Sequence, residues 1–521
     1  MDRILVAETI AEEGLAALRA AAEVDVRTNL DKAQLIEILP NYDALIVRSA
    51  TKVTAEVLAA ATRLRVVGRA GTGVDNIDVT AATQRGILVV NAPAANSVAA
   101  AELTISLIMS LSRRVPEASA SLKSGKWERS KFMGIEVRGK TLGLIGLGRI
   151  GTEVARGLEM TVLAYDPVVS TDRAEQLGIT LASVDDVLAQ SDFVSVHVPL
   201  IESTRYLINS TRLAQMKPSA YLLNVARGGI VEEAALLEAI ENNVIAGAAL
   251  DVFEQEPPTL TALVEHPRVI ATPHLGASTV EAQALAGVDV AESVLAALAG
   301  GTPRAAVNAP FVAPEDWAVL EPYTKLAQQL ASLCFQLVQS PVRSYEIEYR
   351  GELASVDTSS LRLSVMKGLL AHVSEQRITP VNAPIVARER GLKISERSST
   401  EDESYASLLV LRAETAEGVH EFAGTVLRNE QHIVEVDGYW VDFVPGGPAL
   451  MTYHRDRPGM IGRVGTLLGA ADVNISGMYV GRQAPRAEAI MVLTLDDVVP
   501  ADVLEQINQE EDVSQAFNVV L

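Results

Sequence analysis

The chain has one cysteine, Cys334, in 521 residues. That excludes an intrachain disulfide and fits a reducing, cytoplasmic setting. A lone cysteine reads as a small buried hydrophobe rather than a nucleophile. Positive charge is also scarce: 44 Lys and Arg stand against 66 Asp and Glu, a net charge of −22. This balance argues against nucleic acid as a partner, and an anionic substrate then needs a local basic pocket. No uninterrupted apolar run reaches the length of a membrane span, so no membrane partner is expected. The opening, MDRILVAETIAEEG, carries early acids and a short apolar strand, which is not the pattern of a signal peptide. No metal is expected. What is plentiful is apolar content, 48% of the chain, enough for several cores in roughly three or four domains.

The most informative segment comes late. Residues 141–155 read TLGLIGLGRIGTEVA, in which Gly146, Gly148 and Gly151 form G-x-G-x-x-G. The apolar run 142–145 reads as a buried parallel strand, and 149–155 as the start of a helix. In that context Gly146 permits the tight turn and Gly148 lets the backbone approach a pyrophosphate. Gly151 lets helix and strand pack closely. Free amides and the positive helix end then face the phosphates. Asp166 ends the next apolar strand, twenty residues after Gly146, where a carboxylate binds a ribose diol. A carboxylate there repels a 2′-phosphate, and no Lys or Arg follows until Arg173, so NAD is expected rather than NADP. About 140 residues precede the loop, so another domain comes first.

Strand-like runs at 4–7, 24–27, 44–47, 66–69 and 88–91 alternate with helical segments at 11–22 and 32–39, a doubly wound α/β pattern. A long apolar helix at 97–114 links to the dinucleotide unit, which continues through strands at 193–199, 221–225, 245–251 and 269–271. The Ala-rich helix 279–298 is expected to return to the first domain. GGTPRAAVNAP, 300–310, reads as a linker. Residues 311–448 mix a helix at 321–339 with strand-like stretches at 344–349, 361–365, 407–413 and 432–436, an α+β domain. VPGGP marks a further boundary. The remainder has β-α-β-β-α-β spacing, the ferredoxin-like unit. The expected domains are 1–96 with 280–304, then 97–279, 305–447 and 448–521.

Three polar segments follow strands and open on the same crevice: NVARGG with Arg227, LDVFEQEPP with Asp251, Glu254 and Glu256, and TPHLGAST with His274. Oxidation of a 2-hydroxy acid needs a base for the hydroxyl proton and a cation for the carboxylate. It also needs a partner that keeps the base competent. His274 suits the first, because imidazole titrates near neutrality. Arg227 suits the second by bidentate contact. Glu256 suits the third by bonding the other imidazole nitrogen, with Glu254 as the competing acid.

VRSAT, RAGTGVDNID, NAPAANSVAAAELT, GKWERSKFMG, GLIGLGRIG, NVARGGIV, GAALDVFEQEPP and TPHLGAST together resemble the NAD-dependent D-2-hydroxyacid dehydrogenases, in particular the long-form phosphoglycerate dehydrogenases. The resemblance spans about the first 300 residues. It implies catalytic Arg227, Glu256 and His274. It implies cofactor contacts at Thr72, Arg149, Ile150, Asp166, Val198, Val225, Ala226, Asp251, Leu275, Gly276 and Ala277, beside the three loop glycines. Arg48, Ser49, Arg69, Gly71 and Gly73 are implied on the substrate side, with Arg48 and Arg69 as the cations a phosphorylated acid requires. The implied reaction is oxidation of 3-phospho-D-glycerate to 3-phosphohydroxypyruvate, the first committed step of L-serine synthesis. One departure stands out: relatives place the ribose acid a few residues further on. Losing three residues shortens a helix by roughly 4.5 Å and rotates the chain beyond it by about 60°. Either the helix–strand connection absorbs this or the cofactor half is remodelled.

The end of the chain, with TYHRDRPGMIG and ADVNISGM, resembles an ACT domain. The resemblance implies L-serine as effector, at His454, Asp456 and Asn474, paired across a domain interface. Residues 305–447 resemble the intervening domain of the long form. Residues 429–448 hold no Lys or Arg, which argues against an anion site in that segment. A homotetramer is implied by the family. Two alternatives are a hydroxypyruvate or glyoxylate reductase on the same scaffold, and a non-catalytic NAD-sensing protein. The tail and the Arg48/Arg69 pair argue against the first, and the tail argues against the second.

Overall fold

The computed structural model describes residues 1–301, 303, 305–310, 312–374, 376–400 and 405–521. The expected boundary at Arg304 falls outside the described residues.

Short apolar runs make the first sheet: β1 Arg3–Val6, β2 Glu23–Val26, β3 Ala44–Val47, β4 Val66–Arg69 and β5 Leu88–Val90. All pair in parallel, in the order β2-β1-β3-β4-β5. β1, β3 and β4 are buried on both faces, which is why they read as continuous runs rather than alternations. Helix Val280–Leu298 returns to this sheet, capped by Thr279, whose hydroxyl accepts the Ala282 amide at 3.1 Å. Val290 and Val294 fill the space over Gly68, where a Cβ would lie 2.7 Å from each. Helix Glu12–Ala21 crosses it at Gly14, where a Cβ would sit 2.4 Å from the Gly287 carbonyl oxygen.

The second sheet holds β6 Thr141–Ile145, β7 Thr161–Tyr165, β8 Thr180–Leu181, β9 Phe193–Val196, β10 Tyr221–Asn224, β11 Gly247–Leu250 and β12 Val269–Ala271. It is parallel throughout, ordered β12-β11-β10-β9-β6-β7-β8. The order reverses between β6 and β9, so a ligand crevice opens beyond the strand C-termini there. Helix Ser97–Arg113 packs on this sheet and on helix Arg149–Arg156.

The third sheet is mixed: β13 Ser344–Gly351, β14 Ile394–Ser399, β15 Ser407–Glu414, β16 Val419–Leu427, β17 Glu430–Val436 and β18 Tyr439–Phe443, ordered β14-β13-β15-β16-β17-β18. β13 and β14 are parallel and the other pairs antiparallel. Helices Pro314–Leu337 and Ser359–Leu370 pack against each other. The second of these corrects the strand expected at 361–365. Leu361, Val365 and Leu369 enter the main core of the domain, while Leu363, Met366 and Leu370 enter a second, smaller core. A helix buried on two sides shows apolar residues at alternate positions, which imitates a strand.

The last sheet has β19 Pro448–Arg455, β20 Ile475–Arg482, β21 Glu488–Leu495 and β22 Val513–Val520, antiparallel in the order β20-β21-β19-β22. With helices Met460–Ala470 and Ala501–Gln509 this is the expected ferredoxin-like unit.

Candidate active site

Three loops meet beyond β10, β11 and β12. After β10 the Asn224 side chain donates to the Arg227 carbonyl at 2.9 Å and accepts the Ala226 amide at 3.1 Å. Gly228 then packs so tightly that a Cβ would lie 1.8 Å from the Phe253 carbonyl oxygen, joining the Arg227 loop to the one after β11. Asp251, at the end of β11, is fully buried. Its Oδ1 accepts the Thr272 hydroxyl at 2.6 Å and the Leu275 amide at 2.7 Å, and Oδ2 accepts the Gly276 amide at 2.8 Å. Its carbonyl accepts the His274 amide at 2.9 Å. These bonds hold His274 at φ +55°, a left-handed conformation that costs a side-chain-bearing residue roughly 1–2 kcal/mol. Asp251 therefore shapes the His274 turn, and Oδ2 still has lone-pair capacity for a further donor.

His274 Nδ1 lies 2.8 Å from Glu256 Oε2, the two side chains being 48% and 40% exposed. Glu256 Oε1 accepts the Phe253 amide at 3.2 Å, so both carboxylate oxygens are engaged. An ionised carboxylate only accepts, so the proton sits on Nδ1 and Nε2 keeps its lone pair for base work. Glu254 is engaged elsewhere, accepting the Tyr206 hydroxyl and the Glu233 amide, each at 3.0 Å. Of the two acids weighed in the sequence, Glu256 is the one that meets the imidazole. A further histidine, His197, follows β9, half-buried, and is bonded to the Ser195 hydroxyl at 2.9 Å. Burial pushes it down to about 4, so it stays neutral and is not a competing cation.

The first lobe supplies the facing wall. Arg227 Nε pairs with Asp75 Oδ2 at 3.2 Å, across the two lobes. A Cβ on Gly73 would lie 2.1 Å from Arg227 Nη2, and one on Gly71 would lie 2.3 Å from Arg69 Nη1. The glycines of RAGTGVD are there because guanidiniums cross the loop. Burial, then repulsion by Arg227, lowers the affinity of Arg69 for its proton, and Arg48 adds to the repulsion. Arg69 Nε is buried and has no hydrogen-bond partner among the described residues. Three cations held this close favour an anion.

The Arg48 loop is held by Glu8, which accepts the amides of Thr51 at 2.8 Å, Arg48 at 2.9 Å and Ala50 at 3.2 Å. Burial alone raises the Glu8 carboxyl, but these bonds outweigh it and hold it below its ordinary range. Asn76 adds bonds to the Arg48 and Thr51 carbonyls at 2.8 and 2.7 Å. Ser49 is exposed beside them. Arg48, Gly71, Asn96, Ala277 and Gln283 line one cleft between the lobes. Glu8, Asp75, Asn76 and Gln283 were not singled out in the sequence. Glu8 follows a first-sheet strand and Asp75 sits inside a quoted motif, so the strand-end rule applied to the first sheet finds both.

On the cofactor side Gly146 has φ +102°, and a Cβ on Gly151 would lie 2.3 Å from the Gly146 carbonyl oxygen. A Cβ on Gly148 would meet nothing within 4 Å, which leaves open ground over the helix begun by Arg149 and Ile150. That space, next to first-turn amides, fits a pyrophosphate. Asp166 Oδ2 accepts the Leu147 amide at 2.8 Å and Oδ1 the Val168 amide at 2.9 Å. The short helix does not disturb the sheet: β7 pairs in register with β6, and the connection 157–160 absorbs the missing turn. Val198 packs 3.1 Å from a Gly146 Cβ position, and Val225 packs 3.5 Å from that of Gly276. Ala226 follows Val225, and Leu275 is exposed in the His274 turn. The Thr72 hydroxyl is bonded to Asn96 Oδ1 at 2.6 Å.

In the last unit the expected effector residues are apart. His454 is 2% exposed, inside β19. Asp456 accepts from Arg482 at 2.8 Å and from the Arg486 amide at 3.0 Å, and these bonds lower its carboxyl. Asn474 donates to Asp496 at 2.7 Å. Arg482 and Asn474 mark opposite ends of β20, roughly 25 Å apart at the strand rise.

The fold and this cleft define an NAD-dependent oxidoreductase acting on a CH–OH group. Residues 105–276 match the D-isomer specific 2-hydroxyacid dehydrogenase NAD binding domain. Residues 319–437 match the D-3-phosphoglycerate dehydrogenase intervening domain, and 449–512 match the ACT domain. D-3-phosphoglycerate dehydrogenase of Synechocystis sp. is 44% identical, aligned over 100% of this chain and 95% of its own. That of Bacillus subtilis is 40% identical, over 98% of each. Among solved structures, a D-lactate dehydrogenase from Aquifex aeolicus complexed with NAD and lactic acid superposes with TM-score 0.54 at 28% identity, covering 59% of this chain and 99% of its own. The chain belongs to the D-3-phosphoglycerate dehydrogenase family.

Proposed function

We propose that the enzyme oxidises the C2 hydroxyl of 3-phospho-D-glycerate to 3-phosphohydroxypyruvate in L-serine biosynthesis. What supports this is the mutual repulsion of Arg48, Arg69 and Arg227, together with the Glu256–His274 pair, whose turn reaches the Arg48 cleft at Ala277. Arg227 holds the substrate carboxylate, which displaces Asp75 from the guanidinium. Arg48 and Arg69 hold the phosphate. His274 takes the hydroxyl proton at Nε2, and Glu256 stabilises the imidazolium that results. When bound, NAD supplies the two-electron oxidant for the C2–H bond. Gly146, Gly148, Gly151, Arg149 and Ile150 hold its pyrophosphate and Asp166 its ribose, while Asp251 and the His274–Ala277 turn flank the ring end. On this reading residues 1–96 with 280–304 serve the substrate and 97–279 the cofactor.

L-Serine is the proposed effector. Asp456 and Asn474 lie at opposite ends of β20, so one ligand meets both only between two copies of the terminal unit. His454 then supports the Asp456 end from within the sheet. Exposed Trp127 and Met133 offer an apolar face for assembly, in line with a homotetramer, and the single cysteine suits the cytoplasm. The test is NADH formation from 3-phosphoglycerate with and without L-serine. Equal turnover of unphosphorylated D-glycerate refutes the phosphate assignment.

A further inference from the structure

A cavity of about 490 Å³ lies where the first lobe, the linker and the intervening domain meet. We propose that it is a binding site for a small phosphate monoester, separate from the catalytic cleft. Four cations line it: Arg65 from the first lobe, and Lys325, Lys367 and Arg377 from the intervening domain. No carboxylate is among the described residues of its lining. In a chain of net charge −22 that composition runs against the overall field. The ammoniums of Lys325 and Lys367 and the guanidinium of Arg377 make no hydrogen bond or ion pair with the described residues.

The cations also burden one another. Burial, then the charge of Arg377, lowers the proton affinity of Lys367. Burial, then Arg65, does the same to Arg377, with Asp43 opposing. Lys367 is half-buried, Lys325 and Arg377 reach the surface, and Arg65 is paired with Asp2 at 3.3 Å; an anion here would answer the three unpaired cations at once. A guanidinium fork and ammonium point charges are the donors that phosphate oxygens take. A hydroxyl is ready as well. Ser360 lines the cavity, and its Oγ is buried without a hydrogen-bond partner. The volume exceeds that of a bare phosphate ion, which favours an ester with a small polar body.

The place is distinct from the active site. Arg65 precedes β4, whose far end carries Arg69, so the two lie at opposite ends of one strand, roughly 13 Å apart. The wall is continuous across the domains: the Thr379 hydroxyl donates to the Gly86 carbonyl at 3.1 Å. An anion bound here ties the intervening domain to the substrate lobe.

The test is calorimetric titration of the full-length protein with sn-glycerol 3-phosphate and, separately, inorganic phosphate. We expect the wild type to bind the ester at one more site per chain than Lys367→Gln/Arg377→Gln, with that site weakened at least tenfold in the variant. KM for 3-phosphoglycerate and kcat stay unchanged. Superimposable isotherms overturn the site, and an ester that binds no better than inorganic phosphate overturns the monoester assignment. Lys325→Glu, on an exposed helical position, decides the matter if the double variant does not fold: it too lowers affinity severalfold, and unchanged binding overturns the proposal. Amide exchange in 359–370 slows with the ester in the wild type, and no slowing counts equally against it.

Discussion

Glu256→Gln isolates the pairing that the catalytic reading depends on. The carboxylate accepts at both oxygens, from the Phe253 amide at 3.2 Å and from His274 Nδ1 at 2.8 Å. Glutamine keeps the shape but not the acceptors. If its oxygen faces His274, its NH2 group confronts the Phe253 N–H. If its NH2 faces His274 instead, it donates to Nδ1 and drives the imidazole proton to Nε2, the atom that must act as base. Either outcome is unfavourable. A hydrogen bond to a charged group is worth about 1.5–3 kcal/mol, and the exposure of this pair trims that to about 1–2 kcal/mol. At 1.36 kcal/mol per decade, kcat/KM for oxidation falls by roughly 5- to 30-fold. The assay is kcat/KM for 3-phosphoglycerate, with Glu254→Gln as control, since Glu254 does not touch His274. A Glu256→Gln kcat/KM within twofold of wild type refutes the reasoning.

Arg48→Ala raises KM for 3-phosphoglycerate by about 10-fold or more while kcat changes little; an unaltered KM makes Arg48 ordinary surface. The Glu8 carboxyl is held below its ordinary value, so its stabilising contribution is complete above about pH 4.3 and is lost as pH falls through the lower folded value. Urea midpoints of wild type and Glu8→Gln therefore converge in acid and separate above about pH 5; a constant gap contradicts this. On the proposal that L-serine is the effector, Asp456→Ala abolishes inhibition by serine and spares turnover, because it removes the anchor of Arg482 and the Arg486 amide without touching the cleft. Unchanged inhibition moves the effector site elsewhere.

How much the residues alone disclose depends on what each element buries. The parallel strands are apolar on both faces, so β1, β3, β6 and β9 are visible as unbroken runs. The glycine loop is visible because three separate constraints fall on Gly146, Gly148 and Gly151 within one turn. The terminal β-α-β-β-α-β unit shows through its regular spacing. Helix Ser359–Leu370 does not, because two cores claim alternate residues and erase the helical period. β16 and β18 went unread, since strands of a mixed sheet carry no motif beyond alternation. At the site, residues that would face ligands were legible by chemistry, while those that hold them were not. Glu8 and Asn76 act on backbone from 25 to 43 positions away, a relation that only the fold creates. Asp251 was legible as a polar strand end, but its bonds to Thr272, Leu275 and Gly276 were not.

The account rests on His274 as the base. The decisive measurement is NADH formation from 3-phosphoglycerate by His274→Ala, alongside a titration of the same protein with NAD. Turnover should fall by about 10²–10⁴-fold, the usual worth of a positioned acid–base group, with NAD affinity unchanged. Near-normal turnover would contradict the account and take His274 out of the mechanism.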